Sequence, residues 1–157
     1  MKTVSAGQLA DMGAAAAAAP RRRTHFNLHD DLSDPVQRIV IVLQPGTYVR
    51  PHRHAPHVWE LFAVLQGALA VLVFDESGTV QQRIELRPGG DRMVQLDPGC
   101  RHALAVLEPD TVALELKPGP YVATTDKDFV AWAPAEGEPG AAEMVRWMER
   151  AQVGERA

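Results

Sequence analysis

The sequence predicts a mostly β protein: a single closed sandwich or barrel of short strands, with a helix near each end. Between Val36 and Lys117, short runs of apolar and β-branched residues are separated by turn sequences such as Gln44-Pro45-Gly46 and Asp97-Pro98-Gly99. No helical pattern interrupts this region, which favours a sandwich or barrel over a fold of alternating strands and helices. The chain has 157 residues, 46% hydrophobic and 23% charged, as expected for one globular domain.

The turns divide this region into a series of expected strands, and capping signals predict the helices. The strands are Gln37–Leu43, Thr47–His54, Trp59–Gln66, Ala68–Asp75, Val80–Leu86, Met93–Leu96, His102–Leu107 and Thr111–Lys117. Ser5 and Gln8 have the spacing of a helix capping box, alanines continue this first helix, and Pro20 ends it. An amphipathic pattern at Ala141–Ala151 predicts the second helix. We expect one domain in three parts: an N-terminal helix and lead-in segment at 1–35, a barrel core at 36–117, and an irregular extension with a helix at 118–157.

Charge and cysteine content exclude several classes of protein. A net charge of −4 argues against a nucleic-acid partner. With a single cysteine, Cys100, the chain cannot form an intrachain disulfide or a zinc site of the CxxC type. No run approaches the roughly 18 to 20 apolar residues of a membrane span, and Ala14–Ala19 makes a weak signal sequence. We therefore expect a cytoplasmic protein without a membrane partner, whose two terminal helices are candidate contacts for a homodimer.

The expected strand Thr47–His54 carries polar side chains on one face. Because side chains alternate along a strand, Tyr48, Arg50, His52 and His54 point the same way. Burying a polar group without a partner costs roughly 1 to 3 kcal/mol, and a metal ion would supply the missing partners. Histidines two residues apart on a strand have Cα atoms about 6.6 Å apart, so both imidazoles can lean toward one ion.

Glu60 and His102 complete the predicted site. Glu60 shares its strand face with Phe62 and Val64, and His102 follows a Pro-Gly turn at the start of a later strand. The predicted ligands of one divalent metal ion are therefore His52, His54, Glu60 and His102. The alternative for the histidines is that the backbone satisfies them as core or surface residues, and the alternative for Glu60 is an outward position paired with Arg53.

Three motifs in this sequence resemble the metal-binding motifs of the cupin superfamily. They are Gly46-x5-His52-x-His54, Glu60-x6-Gly67 and Pro98-Gly99-x2-His102. Five residues separate His54 from Glu60, where the commonest cupin pattern has fewer, and Ala103–Val106 lack the asparagine often found after the last histidine. The resemblance implies a single cupin-type, jelly-roll β-barrel between the two helices.

A narrower resemblance, to the WbuC family of cupin-fold metalloproteins, covers most of the chain. The segments that carry it are Phe26-Asn27-Leu28-His29, Asp34-Pro35-Val36-Gln37-Arg38, Gly46–His54, Trp59-Glu60-Leu61-Phe62, Lys117-Pro118-Gly119-Pro120-Tyr121, Asp126-Lys127-Asp128-Phe129 and Trp132-Ala133-Pro134. Cys100-Arg101 departs from it, because a threonine-like residue and an aromatic are expected there. The resemblance implies a bacterial protein associated with O-antigen or other surface-polysaccharide metabolism, and it places Asn27, Tyr121 and Lys127 in the pocket.

The predicted ligand set indicates an open metal centre. Three neutral imidazoles and one carboxylate give a divalent ion a net charge of +1, with coordination positions left for water or substrate. These ligands do not distinguish iron, manganese, nickel, cobalt and zinc. Arg50 and Tyr48 beside them suit an anionic or polyhydroxylated small molecule. A structural arginine paired with an internal acid is the alternative for Arg50.

Two classes of function are consistent with such a centre. The first is an enzyme that acts on a sugar or sugar nucleotide, as a metal-dependent isomerase, an epimerase or a non-haem iron dioxygenase. The second is a non-catalytic module that binds or senses a small ligand, and a structural metal is a third option. An enzyme needs an acid or base beyond the ligands. The candidates are Tyr48, Arg50, Tyr121, Lys127 and His57, and the role of Cys100 stays open.

Overall fold

The computed structural model describes residues 1–123, 125 and 128–157. Its elements are α1 (Ala6–Ala18), β1 (Arg23–Asn27), β2 (Val36–Leu43), β3 (Glu60–Gln66), β4 (Leu69–Phe74), β5 (Val80–Leu86), β6 (Met93–Leu96), β7 (Arg101–Val106), β8 (Thr111–Pro118) and α2 (Ala141–Arg150). The predicted bounds of β5 and β6 are confirmed. Strands β2, β3 and β8 differ from prediction by one residue at one end, and β4 and β7 differ by one residue at both ends. The protein is mostly β, as predicted.

The strands form two antiparallel sheets, one with the order β1-β2-β8-β3-β6 and one with the order β5-β4-β7. His52 extends the smaller sheet, because it pairs with His102 of β7 in an isolated bridge. With β2 counted as the first strand and the segment at His52 as the second, the orders become 1-8-3-6 and 5-4-7-2. These are the strand orders of a jelly roll, so the predicted jelly-roll fold is confirmed.

Two features of the sheets differ from the prediction. In Thr47–His54 only His52 takes part in β pairing, and the adjacent Pro51 has no N–H to donate to a ladder. The pairings of the described residues consequently leave an open sandwich rather than a closed barrel. Strand β1 lies outside the predicted strands, since its mixed polar sequence lacks an apolar alternation. It is an edge strand, paired with β2 from Arg23 opposite Leu43 to Asn27 opposite Ile39.

Strand β2 separates the interior of the sandwich from helix α1. Val40 and Val42 pack with Ala16 beneath α1, whereas Leu43 belongs to the cluster between the two sheets. Helix α1 begins as the capping motif predicts, because the Ser5 hydroxyl accepts the N–H of Gln8 at 3.1 Å. The odd-numbered positions of β2 therefore face the interior.

Helix α2 covers the outer face of the smaller sheet. Val145 and Met148 are buried there with Tyr48, Leu72 and Phe74. The apolar faces of both terminal helices, which are the predicted dimer contacts, thus pack within their own chain, and a homodimer stays a prediction. Within the described ranges, no helix has the length and apolar character needed to cross a membrane.

Candidate metal centre

Four side chains singled out by the sequence meet at one point of the structure. His52 and His54 lie beside β7, Glu60 is the first residue of β3, and His102 is the second residue of β7. One potential ligand atom from each of these residues lies within 4.8 Å of the others. The structure therefore brings the predicted ligands together, including Glu60 beyond its five-residue loop.

The backbones of His52 and His102 fix the spacing of two of the imidazoles. Each residue donates its N–H to the carbonyl oxygen of the other, at distances of 3.0 and 2.8 Å. Nδ1 of His52 lies 2.9 Å from the Arg50 carbonyl oxygen, and Nδ1 of His102 lies 3.0 Å from that of Cys100. Because a carbonyl oxygen only accepts hydrogen bonds, both Nδ1 atoms carry a proton. Both Nε2 atoms are left to act as ligands.

Glu60 faces the Nε2 atoms of two imidazoles. Its Oε2 lies 3.1 Å from Nε2 of His54 and 2.8 Å from Nε2 of His102. Glu60 is 3% exposed and His102 is 2% exposed. Nε2 of His102 makes no hydrogen bond of acceptable geometry with any described residue. A neutral His102 with its proton on Nδ1 therefore turns the lone pair of Nε2 toward the Glu60 carboxylate, and the two groups repel each other. A cation bound between them relieves this repulsion. The residues present thus fit a divalent metal ion.

Burial and mutual contacts shift the pKa values of these ligands. Although burial opposes its ionisation, hydrogen bonds with His102 and His54 hold the pKa of Glu60 well below its ordinary value. Burial disfavours a charged His102, but the hydrogen bond that its protonated form makes to Glu60, together with the charge of Glu60, raises the pKa of His102 overall. Burial and the neighbouring His102 lower the pKa of His52 to about 3. His52 is therefore a neutral imidazole at physiological pH, and Glu60 is an anion.

Strand β8 adds a lysine and a carboxylate that the sequence analysis missed. Nζ of Lys117 lies 3.5 Å from Oε1 of Glu60 and 2.7 Å from Oε1 of Glu115. Burial and the charge of Glu60 raise the pKa of Glu115 to about 7. Burial opposes the charge on Lys117, but the two carboxylates raise its pKa overall. Alternation along the predicted strand Thr111–Lys117 could have found both residues, because it places them on the interior face with Ala113.

A cavity of about 460 Å³, the metal-side cavity, opens beside His52, Glu60 and His102 and has the size of a small-molecule site. Its apolar walls are Ile41, Leu43, Val49, Phe62, Leu104, Phe129 and Ala135. Its charged groups beyond the ligands are Arg21, Arg23, Arg50, Glu115, Lys117 and Glu136. Nη1 of Arg23 donates to the Tyr48 carbonyl oxygen at 2.9 Å, and Nη2 lies 3.5 Å from Oε2 of Glu136. The side chain of Arg23 is 17% exposed, so a largely buried charged group borders the cavity.

Tyr48, a predicted catalytic candidate, faces away from the ligands. Its ring is buried among the apolar residues beneath α2, and its hydroxyl donates to the Pro134 carbonyl oxygen at 2.7 Å. Burial raises the pKa of this hydroxyl to about 12. The expected alternation with His52 fails because the segment before Pro51 is not a regular strand.

Arg50 lines the metal-side cavity but is engaged with the backbone. Its Nε and Nη2 atoms donate to the carbonyl oxygens of Ala133 and Val130, at 3.1 and 3.2 Å. Its guanidinium carbon lies 5.0 Å from the centre of the Phe129 ring, within cation–π range. These contacts tie the chain after β8 to the segment that carries His52.

The remaining candidates lie at varied distances from the centre. Tyr121 is 47% exposed and borders a second cavity beside the first, whereas Lys127 lies outside the described residues. His57 is exposed in the loop between His54 and β3 and does not join the ligand cluster. Cys100 is half-buried, and its carbonyl oxygen rather than its thiol orients His102.

Comparison with solved structures supports the fold. The chain is similar to KdgF from Halomonas sp., with a TM-score of 0.51, 20% identity and coverage of 66% of this chain and 83% of KdgF. Similarity to the DMSP lyase DddQ from Ruegeria pomeroyi has a TM-score of 0.51 and 22% identity, covering 65% of this chain and 49% of the lyase. An oxalate oxidase in complex with the substrate analogue glycolate gives a TM-score of 0.50 and 19% identity, covering 66% of this chain and 56% of the oxidase. These neighbours are cupin-superfamily proteins, so the cupin-type fold is confirmed.

Family comparison identifies the chain more narrowly. No curated protein matches it, and the resemblance to the WbuC family is not confirmed. Residues 4–86, which run from the start of α1 to the end of β5 and include His52, His54 and Glu60, match one family model. The chain belongs to the family described as "Domain of unknown function (DUF6016)".

Proposed function

We propose that this protein binds one divalent metal ion through His52, His54, Glu60 and His102 and presents it to a small polar ligand in the metal-side cavity. The observation that carries the proposal is the 2.8 Å contact between Nε2 of His102 and Oε2 of Glu60. Two buried acceptor atoms at this distance repel each other, and a shared cation turns the repulsion into attraction. Iron, manganese, nickel, cobalt and zinc all accept these ligands.

The chain's own groups suit a ligand that approaches the ion from the metal-side cavity. A bound divalent ion supplies Lewis acidity and lowers the pKa of a coordinated water. Lys117 contacts the carboxylates of both Glu60 and Glu115, and its ammonium group can donate to an oxygen atom of the ligand. Phe62, Leu104 and the other apolar walls exclude water around the polar groups.

An enzyme is favoured over a purely binding module by the pair Lys117–Glu115. Enzymes need a positioned acid or base beyond the metal ligands, and this pair lies directly beside Glu60. A non-catalytic binding module remains the alternative, because Tyr48 and Arg50 are both engaged with backbone carbonyl oxygens. The structural neighbours include an oxidase and a lyase, so the fold does not select one reaction.

The finer expectations remain hypotheses. A sugar or sugar-nucleotide ligand, a dioxygenase or isomerase reaction, a place in O-antigen or other surface-polysaccharide metabolism, and a cytoplasmic location are proposed from the sequence alone. The cavity volume of about 460 Å³ lies within the range of small-molecule sites.

The metal proposal is tested by substituting two ligands together. His52→Ala with His54→Ala should reduce bound metal from about one ion per chain to below about one tenth, because two of four ligands are lost. Elemental analysis of dialysed protein measures the content, and circular dichroism checks that the fold persists. His57→Ala is the matched control, because this exposed histidine lies in the adjacent loop. Metal retained by the double variant, or no metal bound by the unaltered protein offered each ion, would overturn the proposal.

A further inference from the structure

A second cavity, here called the edge cavity, lies beside the metal-side cavity against strands β1 and β2. Its volume is about 410 Å³, and its walls include Asn27, His29, Gln37, Ile39 and Tyr121. Two segments of the sequence therefore meet in it, Phe26–His29 and Asp34–Arg38. Arg21, Arg23, Ile41, Glu115 and Lys117 line both cavities, so the two spaces share one stretch of wall.

Three polar atoms of the edge cavity lining are buried without a hydrogen-bond partner in the described ranges. They are Oδ1 of Asn27, Nε2 of His29 and Oε1 of Gln37. His29 is 2% exposed and Gln37 is 1% exposed. Buried polar groups are nearly always hydrogen-bonded, because leaving one unsatisfied is costly. Three such atoms around one cavity, from two separate segments of the chain, indicate that a bound ligand completes their hydrogen bonds.

The neighbouring hydrogen bonds identify His29 as a donor to the cavity. Its Nδ1 lies 3.1 Å from the Arg38 carbonyl oxygen and 3.0 Å from the Arg38 backbone nitrogen. The backbone N–H can only donate, so Nδ1 is the acceptor, and the carbonyl oxygen already accepts the N–H of Leu28 at 2.8 Å. A neutral imidazole that accepts at Nδ1 carries its proton on Nε2. His29 therefore offers an N–H group through its unpartnered atom.

Gln37 and Asn27 supply the opposite kind of group. Nε2 of Gln37 donates to the carbonyl oxygens of Leu32 and Asp34, at 3.1 and 3.0 Å. These two contacts fix the orientation of the amide, so its unpartnered Oε1 is an acceptor. Asn27, on the edge strand β1, adds a second unpartnered amide oxygen.

One donor and two acceptors without charge match hydroxyl groups, since each hydroxyl both donates and accepts. At these three atoms an anion would face two amide oxygens, and an ammonium group would face the His29 N–H. The charged groups of the shared wall are already paired, in the contacts Arg21–Glu136, Arg23–Glu136 and Lys117–Glu115. We infer that the edge cavity binds the uncharged, polyhydroxylated part of a ligand. The further step, that this ligand also reaches the metal along the shared wall at Glu115 and Lys117, rests on the proposed metal function.

The inference can be tested with xylitol, a five-carbon polyol, as the probe. Xylitol is titrated into protein that carries isotope-labelled histidine, and NMR spectra are recorded. The imidazole resonance of His29 should shift saturably, both in metal-loaded protein and after a chelator has removed the metal. The matched probe is 1,5-pentanediol, which has the same chain length without the inner hydroxyls and should bind at least about fivefold more weakly, since each lost hydrogen bond lowers affinity several-fold.

His29→Asn is the informative variant. The asparagine Oδ1 replaces Nδ1 as acceptor for the Arg38 N–H, so the local structure is retained while the Nε2–H donor is lost. We expect xylitol affinity, measured by the shifts of other cavity residues, to fall about fivefold to tenfold. Asn27→Ala, which removes an acceptor instead, should weaken binding by a similar factor. His57 lines neither cavity, so His57→Asn should leave the xylitol affinity unchanged.

The outcomes separate this inference from the proposed metal function. Xylitol binding at His29 in protein that takes up no metal would support the inference and overturn the metal proposal. No saturable shift of His29 in metal-loaded protein would overturn the inference and leave the metal proposal standing. Equal affinity for xylitol and 1,5-pentanediol would also overturn it, because apolar contact rather than hydroxyl recognition would then explain binding.

Discussion

Nε2 of His102 lies 2.8 Å from Oε2 of Glu60, and neither residue is more than 3% exposed. In the metal-free protein, protonation of His102 converts this contact into a buried ion pair. In the metal-bound protein, the ion takes the place of that proton. Protons and metal ions therefore compete for one contact, and the competition determines how pH affects stability.

The metal-free protein should lose stability as pH rises above neutrality. The pKa of His102 is raised above its ordinary value of 6.5. The contribution of His102 to folding stability is therefore fully present below pH 6.5 and is lost as pH rises through the raised pKa. The pKa of Glu60 is lowered from 4.5, so its contribution is present above that value and lost as pH falls through the lowered pKa. This contact therefore stabilises most between pH 4.5 and 6.5. Urea unfolding between pH 4.5 and pH 9 measures the free energy of unfolding. We expect it to fall by about 1.4 kcal/mol for each unit by which the His102 pKa is raised.

Saturating metal should reverse this trend between pH 5 and 8, because the ion binds only when His102 has lost its proton. Glu60→Gln provides the comparison, since it removes the charge that raises the pKa of His102 and should flatten the dependence in the metal-free protein. Stability of the metal-free protein that increases from pH 6.5 to 8.5 would contradict the ion-pair account.

Arg50→Ala should destabilise the protein without releasing its metal. The guanidinium group donates to the carbonyl oxygens of Ala133 and Val130, and their loss should lower the free energy of unfolding by about 1 to 3 kcal/mol. His52 depends on the carbonyl oxygen of Arg50, which the variant keeps. Denaturant unfolding and elemental analysis test the two parts, with the exposed Arg53→Ala as control. Lost metal would mean that the Arg50 side chain itself supports the site.

Met148→Ala should test whether the C-terminal helix belongs to the same folding unit as the sandwich. Met148 is fully buried between α2 and the smaller sheet, so its truncation should cost about 2 to 5 kcal/mol. Met93→Ala, at a position that is 62% exposed, should cost less than about 0.5 kcal/mol. A single shifted unfolding transition would agree with one domain, whereas two separate transitions would show that 118–157 unfolds by itself.

The ligand cluster could be predicted because its signals are local. His52 and His54 are two residues apart in one segment, and the turn before His102 places that residue at the start of a strand. Glu60 follows from the alternation in β3. Each inference needs only a few neighbouring residues, so errors in distant parts of the fold did not affect it.

The surroundings of the ligands depend on long-range pairing and could not be predicted in the same way. Tyr48 was expected beside His52, but Pro51 interrupts the ladder and the tyrosine packs under α2. Strand β1 has no apolar alternation of its own and forms because β2 offers it an edge. Glu115 and Lys117 are a different case, since the alternation of β8 already indicated their inward direction.

The reciprocal backbone hydrogen bonds between His52 and His102 have a consequence for metal selectivity. They make the separation of these two ligands a property of the sheet, set before any ion arrives. His54 and Glu60 are joined instead by a loop whose residues 55–57 are exposed. A change in ion radius must therefore be accommodated mainly by movement of His54 and Glu60, which flank this loop. The length and composition of that loop, rather than the identity of the four ligands, would then decide which metal the centre prefers.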